Sequence, residues 1–452
     1  MTVSLLLFAA VLSADPVPKL PAQSAIAWPE FRGPTHEGHA GGPAPLSPSS
    51  DRVAWRASLP GLGWSSPVID RGQALLTTAV ETGGGHELRL LVVSLEDGTL
   101  KHNELVAEQP ASDLVEMHQK NSHASPTPVL ARIDDERTAC FVHFGPHATA
   151  RYSFGGDGSL TRDWLTKTPP YLSQHGTGGS PALVGTPDDG VLVLCCDGRD
   201  EQFVLGLEAA SGRELWRVDR EMNPQRGFSF GTPLLLPREG SEEGQVVCPG
   251  SSVVMSLDPR TGEEFWRVGY GSGYSVVPRP VFDADLGQHG LVFVCSGFGD
   301  KTIYAIDPSG RGDVTDSHVA WSSRKQTPMS PSLLLADGLL YAVADNGVAS
   351  CWNAADGERV WTQRLGGGFS ASPLLVREAG GQAGDEAEAP STTDAIYWLS
   401  EQGELTVSRP GRQWQDVSRS RWGDGSRTFA SPTVYEGDLL LRTESALLRL
   451  TR

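Results

Sequence analysis

Short apolar runs, each bounded by glycine, proline or aspartate, recur along the whole chain. The pattern is clearest at residues 232–268, where the runs TPLLLP, QVVCPG, SVVMSLDP and FWRV are separated by polar turns. Runs of this length that are rich in β-branched and aliphatic residues are typical of β-strands, and their order indicates a four-stranded antiparallel meander. The hydrophobic pattern therefore predicts an all-β protein built from repeated small sheets.

The first strand of each unit opens on a proline. Eight such openings follow one another at a mean spacing of about 52 residues, which is the size of a propeller blade. They are SSPVI at 65–69, ASPTPVL at 124–130, GSPALV at 179–184, GTPLLL at 231–236, PRPVF at 278–282, SPSLLL at 330–335, ASPLLV at 371–376 and ASPTV at 430–434. The spacing predicts eight blades.

The last unit contains only three strands before the chain ends, whereas RVAWRASL at residues 52–59 is a strand without a unit of its own. A propeller leaves no sheet edge open when its two ends share one blade. We therefore expect an eight-bladed β-propeller of four-stranded antiparallel blades, with the ring closed by an N-terminal strand in the last blade.

A tryptophan marks the last strand of several units. In the clearest cases it follows the glycine of a turn by four residues, as in LDPRTGEEFW. A flat indole fills the space between two adjacent sheets, so we interpret these residues as structural. The set comprises Trp55, Trp164, Trp216, Trp266, Trp321 and Trp361.

Three segments differ from the repeat. Residues 1–14 contain an apolar run before Ser13 and Ala14 and are interpreted as a signal peptide, which predicts a periplasmic or secreted protein. Residues 15–50 form an irregular N-terminal segment that contains WPEFRGP, and residues 51–452 form the propeller. Within it, residues 378–394 are acidic and poor in apolar residues, so we expect a loop insert.

Composition narrows the possible functions. The 452 residues carry a formal net charge of -18, which disfavours nucleic acid as a partner. No run after the N-terminus approaches the roughly 18 apolar residues of a membrane span. We expect the protein to be a monomer. The cysteines form no C-x-x-C pair and should be buried free thiols. They are Cys140, Cys195, Cys196, Cys248, Cys295 and Cys351.

The repeats resemble the pyrroloquinoline-quinone-like (PQQ-like) β-propeller repeat family, and most closely its secreted bacterial PQQ-binding-like members. The motifs that carry this resemblance are WPEFRGP at 28–34, AWRASLPGLGWSSPV at 54–68, KNSHASPTPV at 120–129, GYSVVPRPV at 273–281, DNGVASC at 345–351 and FSASP at 369–373. More distantly, the chain is similar to quinoprotein alcohol dehydrogenases and to the outer-membrane assembly lipoprotein BamB. The resemblance implies the fold, whereas function varies widely within one fold.

Residues just before the proline openings are candidates for lining an axial funnel, because the innermost strand of each blade begins there. The candidates are His123, His175, Trp64, Phe228, Phe230, Tyr274, Arg279, Phe369 and Phe429. Aromatic rings with imidazoles and one guanidinium would suit a sugar, a peptide or a small anion. The alternative for each residue is ordinary loop packing.

Several catalytic patterns fit the chain poorly. The adjacent Cys195 and Cys196 lie in an apolar strand, and the resemblance to quinoprotein dehydrogenases does not extend to a matching calcium-ligand set. Ser229 in GFSFG precedes a strand, whereas a nucleophile elbow requires a helix there. His143 and His147 are separated by Gly-Pro and lack helical spacing for a metal site. We thus expect no catalytic residues, no metal and no cofactor.

Two functions remain in view. The first is non-catalytic binding or scaffolding outside the cytoplasm, with a protein or glycan partner and a possible analogy to BamB in envelope assembly. The second is a PQQ-dependent quinoprotein dehydrogenase that holds PQQ with calcium in the axial funnel. The repeats are filled with structural tryptophans rather than with an assembled catalytic set, and this favours the first.

Overall fold

Eight antiparallel sheets surround one axis in the structure, which is a computed structural model. It describes residues 26–43, 45–48, 52–222, 224–377, 393–422 and 425–451. The predicted signal peptide at residues 1–14 and most of the acidic insert, residues 378–392, lie outside the described residues. Each sheet is one of the predicted units, so the eight-bladed propeller is confirmed.

Two strands precede the first complete blade, and blades 1 to 4 then follow in chain order. The early strands are β1 (His39–Gly41) and β2 (Val53–Ser58). Blade 1 comprises β3 (Val68–Asp70), β4 (Gln73–Thr82), β5 (Gly85–Ser94) and β6 (Leu100–Pro110), and blade 2 comprises β7 (Val129–Arg132), β8 (Arg137–His143), β9 (Thr149–Gly155) and β10 (Leu160–Thr166). Blade 3 comprises β11 (Ala182–Val184), β12 (Val191–Asp197), β13 (Gln202–Glu208) and β14 (Glu214–Asp219), and blade 4 comprises β15 (Leu234–Arg238), β16 (Ser241–Pro249), β17 (Val253–Leu257) and β18 (Glu264–Gly269).

Blades 5 to 8 repeat the same meander. Blade 5 comprises β19 (Val281–Asp283), β20 (Leu291–Cys295), β21 (Ile303–Ile306) and β23 (Val319–Ser323), with β22 (Gly312–Asp313) between its last two strands. Blade 6 comprises β24 (Leu334–Ala336), β25 (Leu339–Val343), β26 (Val348–Asn353) and β27 (Arg359–Arg364). Blade 7 comprises β28 (Leu374–Arg377), β29 (Ala395–Leu399), β30 (Glu404–Ser408) and β31 (Asp416–Arg421), and blade 8 comprises β32 (Thr433–Tyr435), β33 (Asp438–Arg442) and β34 (Ala446–Leu450). A 3-10 turn at Ala111–Asp113 follows β6.

The N-terminal strand completes the last blade, as predicted. Strand β2 pairs antiparallel with β34, with Arg56 opposite Leu448. Two sheets have a fifth strand that the repeat pattern does not predict. Strand β1 adds to the inner edge of β28 in parallel, and β22 of blade 5 adds to the outer edge of β18 in blade 4.

The apolar core lies in the gaps between neighbouring blades. Strand β12 is buried at every residue because another sheet covers each of its faces. Outer strands such as β31 alternate between exposed and half-buried residues, since only their inner ends are covered. All six cysteines are free and buried in these gaps, which confirms the expectation from sequence.

The predicted blade tryptophans lie between blades, and five of the six donate their indole N–H to a turn of the next blade. These hydrogen bonds run from Trp55 to Leu95 O (2.9 Å), Trp164 to Ala209 O (3.0 Å), Trp216 to Pro259 O (3.1 Å), Trp321 to Ala354 O (2.9 Å) and Trp361 to Gly411 O (3.0 Å). Trp266 instead donates to Gln245 Oε1 of its own blade at 2.8 Å. It lies where β22 covers the outer edge of β18, opposite Gly312.

A turn glycine makes room for each of four of these indoles. At Gly262 the backbone has φ +74°, and a Cβ atom would lie 2.9 Å from the ring of Trp216. Gly98, Gly212 and Gly357 stand in the same relation to Trp55, Trp164 and Trp321. The recurring turn glycine thus has a structural role: it leaves room for the indole of the preceding blade.

A belt of hydroxyl groups joins the blades around the axis. In seven blades a Ser or Thr lies two positions before the first strand, and its hydroxyl oxygen accepts a hydrogen bond from the backbone N–H of the equivalent residue in the preceding blade, at 2.9–3.1 Å. We call this set the hydroxyl belt: Ser66, Thr127, Ser180, Thr232, Ser332, Ser372 and Ser431. Blade 5 carries Arg279 at this position, and the Arg279 side chain bonds Pro233 O of blade 4 through Nε at 3.0 Å.

The segment with WPEFRGP runs along the propeller axis, in contact with the first strands of blades 1, 2, 5, 6 and 7. We call residues 26–43 the axial segment. Its hydrogen bonds join Trp28 to Ile69 (3.0 and 2.8 Å), Pro29 O to Leu130 N (2.7 Å), Glu37 Oε1 to Phe282 N (2.6 Å), His39 Nε2 to Leu335 O (2.6 Å) and Gly38 O to Leu375 N (2.9 Å). The axial segment therefore fills the channel instead of lying outside the ring.

The motif residues account for this path. Trp28 is 2% exposed, and Gly33, at φ +75°, packs so closely on the indole that a Cβ would lie 2.6 Å from it. The guanidinium of Arg32 bonds Pro373 O of blade 7 at 2.6 Å and Leu333 O of blade 6 at 2.5 Å. Burial lowers the pKa of Arg32 to about 9.

Candidate functional site

A cavity of about 350 Å³ opens at the mouth of the ring where the first strands begin. All eight blades contribute to it, and Phe31 of the axial segment also lines it. Because the axial segment continues away from this mouth along the first strands, the cavity is a pocket rather than an open channel. Its volume lies in the range of small-molecule sites.

Seven aromatic side chains line the pocket. Trp64 and Phe429 are in contact with ring centroids 4.6 Å apart, and Phe228 contacts both Tyr274 (5.6 Å) and His175 (5.1 Å) in edge-to-face geometry. The aromatic residues of the lining are Phe31, Trp64, Phe228, Phe230, Tyr274, Phe298 and Phe429. Six residues of the hydroxyl belt line it as well: Ser66, Thr127, Ser180, Thr232, Ser372 and Ser431.

The structure brings together six of the nine funnel candidates, namely Trp64, His175, Phe228, Phe230, Tyr274 and Phe429. It places three elsewhere. His123 stacks on His86 with centroids 4.1 Å apart, and burial, followed by the charges of His86 and His147, lowers the pKa of His123 to about 4. Phe369 is 1% exposed and packs in the core between blades 6 and 7. Arg279 turns to the axial segment.

Arg279 forms a buried ion pair with Glu30 of the axial segment, and its Nη1 also bonds Phe31 O at 2.7 Å. His36 Nδ1 lies 2.8 Å from Glu30 Oε1. Burial alone would raise the pKa of Glu30, but Arg279 and His36 lower it to about 2. Arg279 therefore holds the axial segment in place, and its guanidinium does not line the pocket.

Sequence reasoning missed several lining residues. Lys120 and Asn121 belong to the KNSHASPTPV motif and precede their opening at residue 124 by four and three residues, much as His175 precedes its own, so a signal was present. His118 lies on the same loop and is brought beside His175 at 5.8 Å. Phe298 comes from the loop after β20 and reaches the pocket through its bridge to Tyr274. No periodic signal marks that loop.

Each basic side chain at the pocket except Arg226 is paired with an acidic side chain. Lys120 Nζ lies 2.7 Å from Glu401 and 3.5 Å from Asp345, and Arg427 is paired with Glu444. Arg226 lies over the ring of Tyr274 and donates to its hydroxyl at 2.7 Å. Among the described residues no carboxylate lies within ion-pair distance of Arg226. Burial, then His175 and Lys120, lowers the pKa of His118, which favours the neutral imidazole.

The pocket residues do not fit PQQ with calcium. PQQ carries three carboxylates, whereas Arg226 is the one lining cation among the described residues that is not already paired with an acidic side chain. Within the described ranges, no group of three or more His, Cys, Asp or Glu side chains could hold a metal ion. Cys195 and Cys196 are separate thiols in β12 and are not part of the lining.

Ser229 and the two spaced histidines have structural partners. Ser229 Oγ accepts from Val276 N at 3.0 Å, which joins blades 4 and 5 at the break in the hydroxyl belt. His143 is buried and bonds Thr149 Oγ1 at 2.9 Å, and burial lowers its pKa to about 3. His147 bonds the side chain of Gln109 at 2.9 Å. These contacts explain all three residues through packing.

In the part of the chain that the structure describes, no helical segment has the length and apolarity needed to cross a bilayer.

Solved structures share this fold at low sequence identity. BamB from Moraxella catarrhalis is 14% identical, with a TM-score of 0.53, over 88% of this chain and 99% of that one. The quinohemoprotein alcohol dehydrogenase from Comamonas testosteroni is 10% identical, with a TM-score of 0.60, over 93% of this chain and 80% of that one. Another from Pseudomonas putida HK5 is 12% identical, with a TM-score of 0.55, over 88% and 76%. These similarities establish the fold alone. No curated protein sequence matches the chain significantly.

The family comparison is more specific. The sequence matches the family described as outer membrane protein assembly factor BamB over residues 183–363 and 299–448, which together span more than half of the chain. These matches cover blades 3 to 8, and the blades that precede them repeat the same architecture. The chain belongs to the PQQ-like β-propeller family described as outer membrane protein assembly factor BamB.

Proposed function

We propose that this protein is a non-catalytic binding protein that acts outside the cytoplasm and recognises a protein or glycan partner with its axial pocket. The observation that carries the proposal is the pocket itself. Aromatic rings from several blades surround a floor of hydroxyl groups, and the axial segment closes the far side. These groups lie just before the first strands, and hydrogen bonds between blades hold the hydroxyl groups in place, so the pocket is formed before a ligand enters.

The contacts within the pocket favour recognition over chemistry. The polar side chains at its floor are held by bonds between blades, as Thr127 is by the N–H of Ser66. His175 packs edge-to-face on Phe228 and beside His118, and burial lowers the pKa of His118, which favours its neutral form. Aromatic side chains provide large contact areas at small entropic cost, which suits a binding surface. A periplasmic or secreted location and a monomeric state complete the proposal.

A direct test is binding to arrayed glycans and to a peptide library, with the wild type compared with Phe228→Ala and Trp64→Ala. We expect a ligand whose binding is lost in both pocket variants. Leu165→Ala provides the control, because Leu165 is an exposed residue of outer strand β10, 45% accessible and far from the pocket. Binding that survives both pocket variants would refute the role of the pocket.

The alternative of a quinoprotein dehydrogenase has its own test. Titration of the protein with PQQ and Ca²⁺ should produce no protein-dependent change in the absorbance of the quinone and no dye reduction with simple alcohols. Saturable binding of PQQ together with alcohol-dependent dye reduction would overturn the non-catalytic proposal.

A further inference from the structure

The hydroxyl belt gives the pocket an excess of hydrogen-bond donors. In each of its six lining members the oxygen already accepts a backbone N–H from the preceding blade, as Ser180 does from Thr127 at 3.0 Å. Within the described chain none of these six hydroxyls donates to a protein acceptor. Their protons are therefore available to a ligand, and the six hydroxyls come from six blades around one axis.

Other lining groups reinforce the excess of donors. The indole Nε1 of Trp64 is buried without a hydrogen-bond partner in the described structure, which is costly unless a ligand supplies an acceptor. No aspartate or glutamate is part of the lining. A suitable ligand thus presents several acceptor oxygens and brings few donors that need a protein acceptor.

This donor excess discriminates between ligand classes. A peptide backbone brings one N–H donor with nearly every carbonyl acceptor, and a pocket lined by no carboxylate lacks a strong acceptor for such donors. A sugar hydroxyl can accept and can also donate to a second oxygen of the same ligand. The flat apolar face of a sugar ring fits the wall formed by Phe228 and Tyr274, because aromatic surfaces bury such faces efficiently.

The unpaired cation at the wall adds a charge preference. Arg226 is exposed, lies against the ring of Tyr274 and has no acidic side chain within ion-pair distance among the described residues. A single guanidinium can bind one carboxylate through two parallel hydrogen bonds. The protein as a whole carries an excess of acidic residues, and Arg226 gives an anionic group of a ligand an opposite charge at the pocket.

We propose that the axial pocket binds an acidic saccharide, with the sugar ring against the aromatic wall, its hydroxyl oxygens on the hydroxyl belt and its carboxylate on Arg226. This inference rests on the proposed binding function and specifies its ligand class. It concerns a uronate-type sugar, recognised through one carboxylate and several neutral oxygens.

Calorimetric titration with galacturonic acid, which carries one carboxylate, and with neutral galactose tests this inference. We expect the acidic sugar to bind at least about ten-fold more tightly, because a charge-assisted hydrogen bond contributes about 1.5–3 kcal/mol. Arg226→Met should abolish this difference and leave the neutral sugar unaffected. Arg213→Met is the matched control, since it removes the same charge from an exposed outer turn of blade 3.

The remaining outcomes separate this inference from the proposed function. Equal affinity for the two sugars, or an acidic preference that survives Arg226→Met, would overturn the acidic-saccharide assignment. An N-acetylated apolar dipeptide with a free carboxylate is titrated in parallel. If only the dipeptide binds, and Phe228→Ala removes that binding, the saccharide inference falls whereas the binding function stands. If no compound of this set binds, the inference also falls, and the arrayed glycans and peptides decide the function.

Discussion

The ion pair between Glu30 and Arg279 should make the axial segment a major contributor to the stability of the ring. The two side chains are 3% and 2% exposed, and they join residues 249 positions apart in the chain. Glu30→Gln keeps the size of the side chain and removes its charge. The change leaves the Arg279 guanidinium buried beside a neutral partner.

The ion pair should contribute about 3 kcal/mol to the free energy of unfolding at neutral pH. The pKa of Glu30 falls from 4.5 to about 2 in the folded chain, and this difference corresponds to about 3 kcal/mol of stability at pH 7. Removal of one partner from a buried ion pair typically costs about 3–5 kcal/mol. We therefore expect Glu30→Gln to lower the free energy of unfolding by about 3 kcal/mol at neutral pH.

The pH dependence follows from the sign of the shift. A carboxyl whose pKa is depressed on folding contributes stability above its unfolded pKa, and the contribution is lost as the pH falls towards the folded pKa. The difference between wild type and Glu30→Gln should thus be full above pH 5 and shrink between pH 4.5 and pH 2. Urea titrations followed by tryptophan fluorescence measure it at each pH.

A double-mutant cycle identifies the pair as the cause. Arg279→Met should also destabilise the protein, and the double variant should be more stable than the sum of the two single effects predicts, by about 2 kcal/mol. Asp134→Asn is the control, because Asp134 pairs with Arg137 at the surface and this substitution should cost much less stability than Glu30→Gln. Additive effects, or a cost of Glu30→Gln that does not vary with pH, would refute this account.

Three further predictions test other parts of the ring by urea unfolding. Burial raises the pKa of Glu37 to about 7, so ionisation of its carboxyl at higher pH destabilises the folded chain. Glu37→Gln should therefore increase the free energy of unfolding by as much as about 3 kcal/mol at pH 8 and have little effect at pH 4. An equal gain at both pH values would contradict it. Gly262→Ala should cost about 2 kcal/mol more than Gly240→Ala, since both glycines have positive φ but only Gly262 touches an indole; equal costs would remove the steric role of the turn glycines. Thr127→Val should cost about 1–3 kcal/mol by leaving a backbone N–H of blade 1 unpaired, and an unchanged midpoint would show that the belt bond adds nothing.

Local patterns in the sequence were sufficient to predict the blades. Strand length, proline openings and turn glycines repeat with each unit, and every strand after β2 pairs mainly with near neighbours in the chain. The ring closure was also predictable, because an unpaired strand at one end matched a missing strand at the other. The hydroxyl belt has a visible signal in the Ser or Thr within seven of the eight openings, although its bonds between blades become apparent only in the structure.

The candidate site was predictable in part. Six of the candidates lie three to six residues before the proline of an opening, and this placement brings them to one mouth of the ring: Trp64, Phe228, Phe230, Tyr274, Phe429 and His175. Lys120, Arg226 and Phe298 lie on loops of different lengths. Loop conformation depends on contacts with neighbouring blades, which a repeat pattern does not encode.

The sequence by itself thus determined the number of blades, the closure of the ring and the aromatic character of its mouth, because these follow from hydrophobic periodicity and turn chemistry within each unit. Only the tertiary structure decided where the side chain of Arg279 lies. The position of Arg279 in the repeat predicts a side chain in the funnel. A buried guanidinium requires a partner of opposite charge, however, and Glu30 of the axial segment provides it. That partner comes from a distant, irregular part of the chain, and no periodicity relates the two.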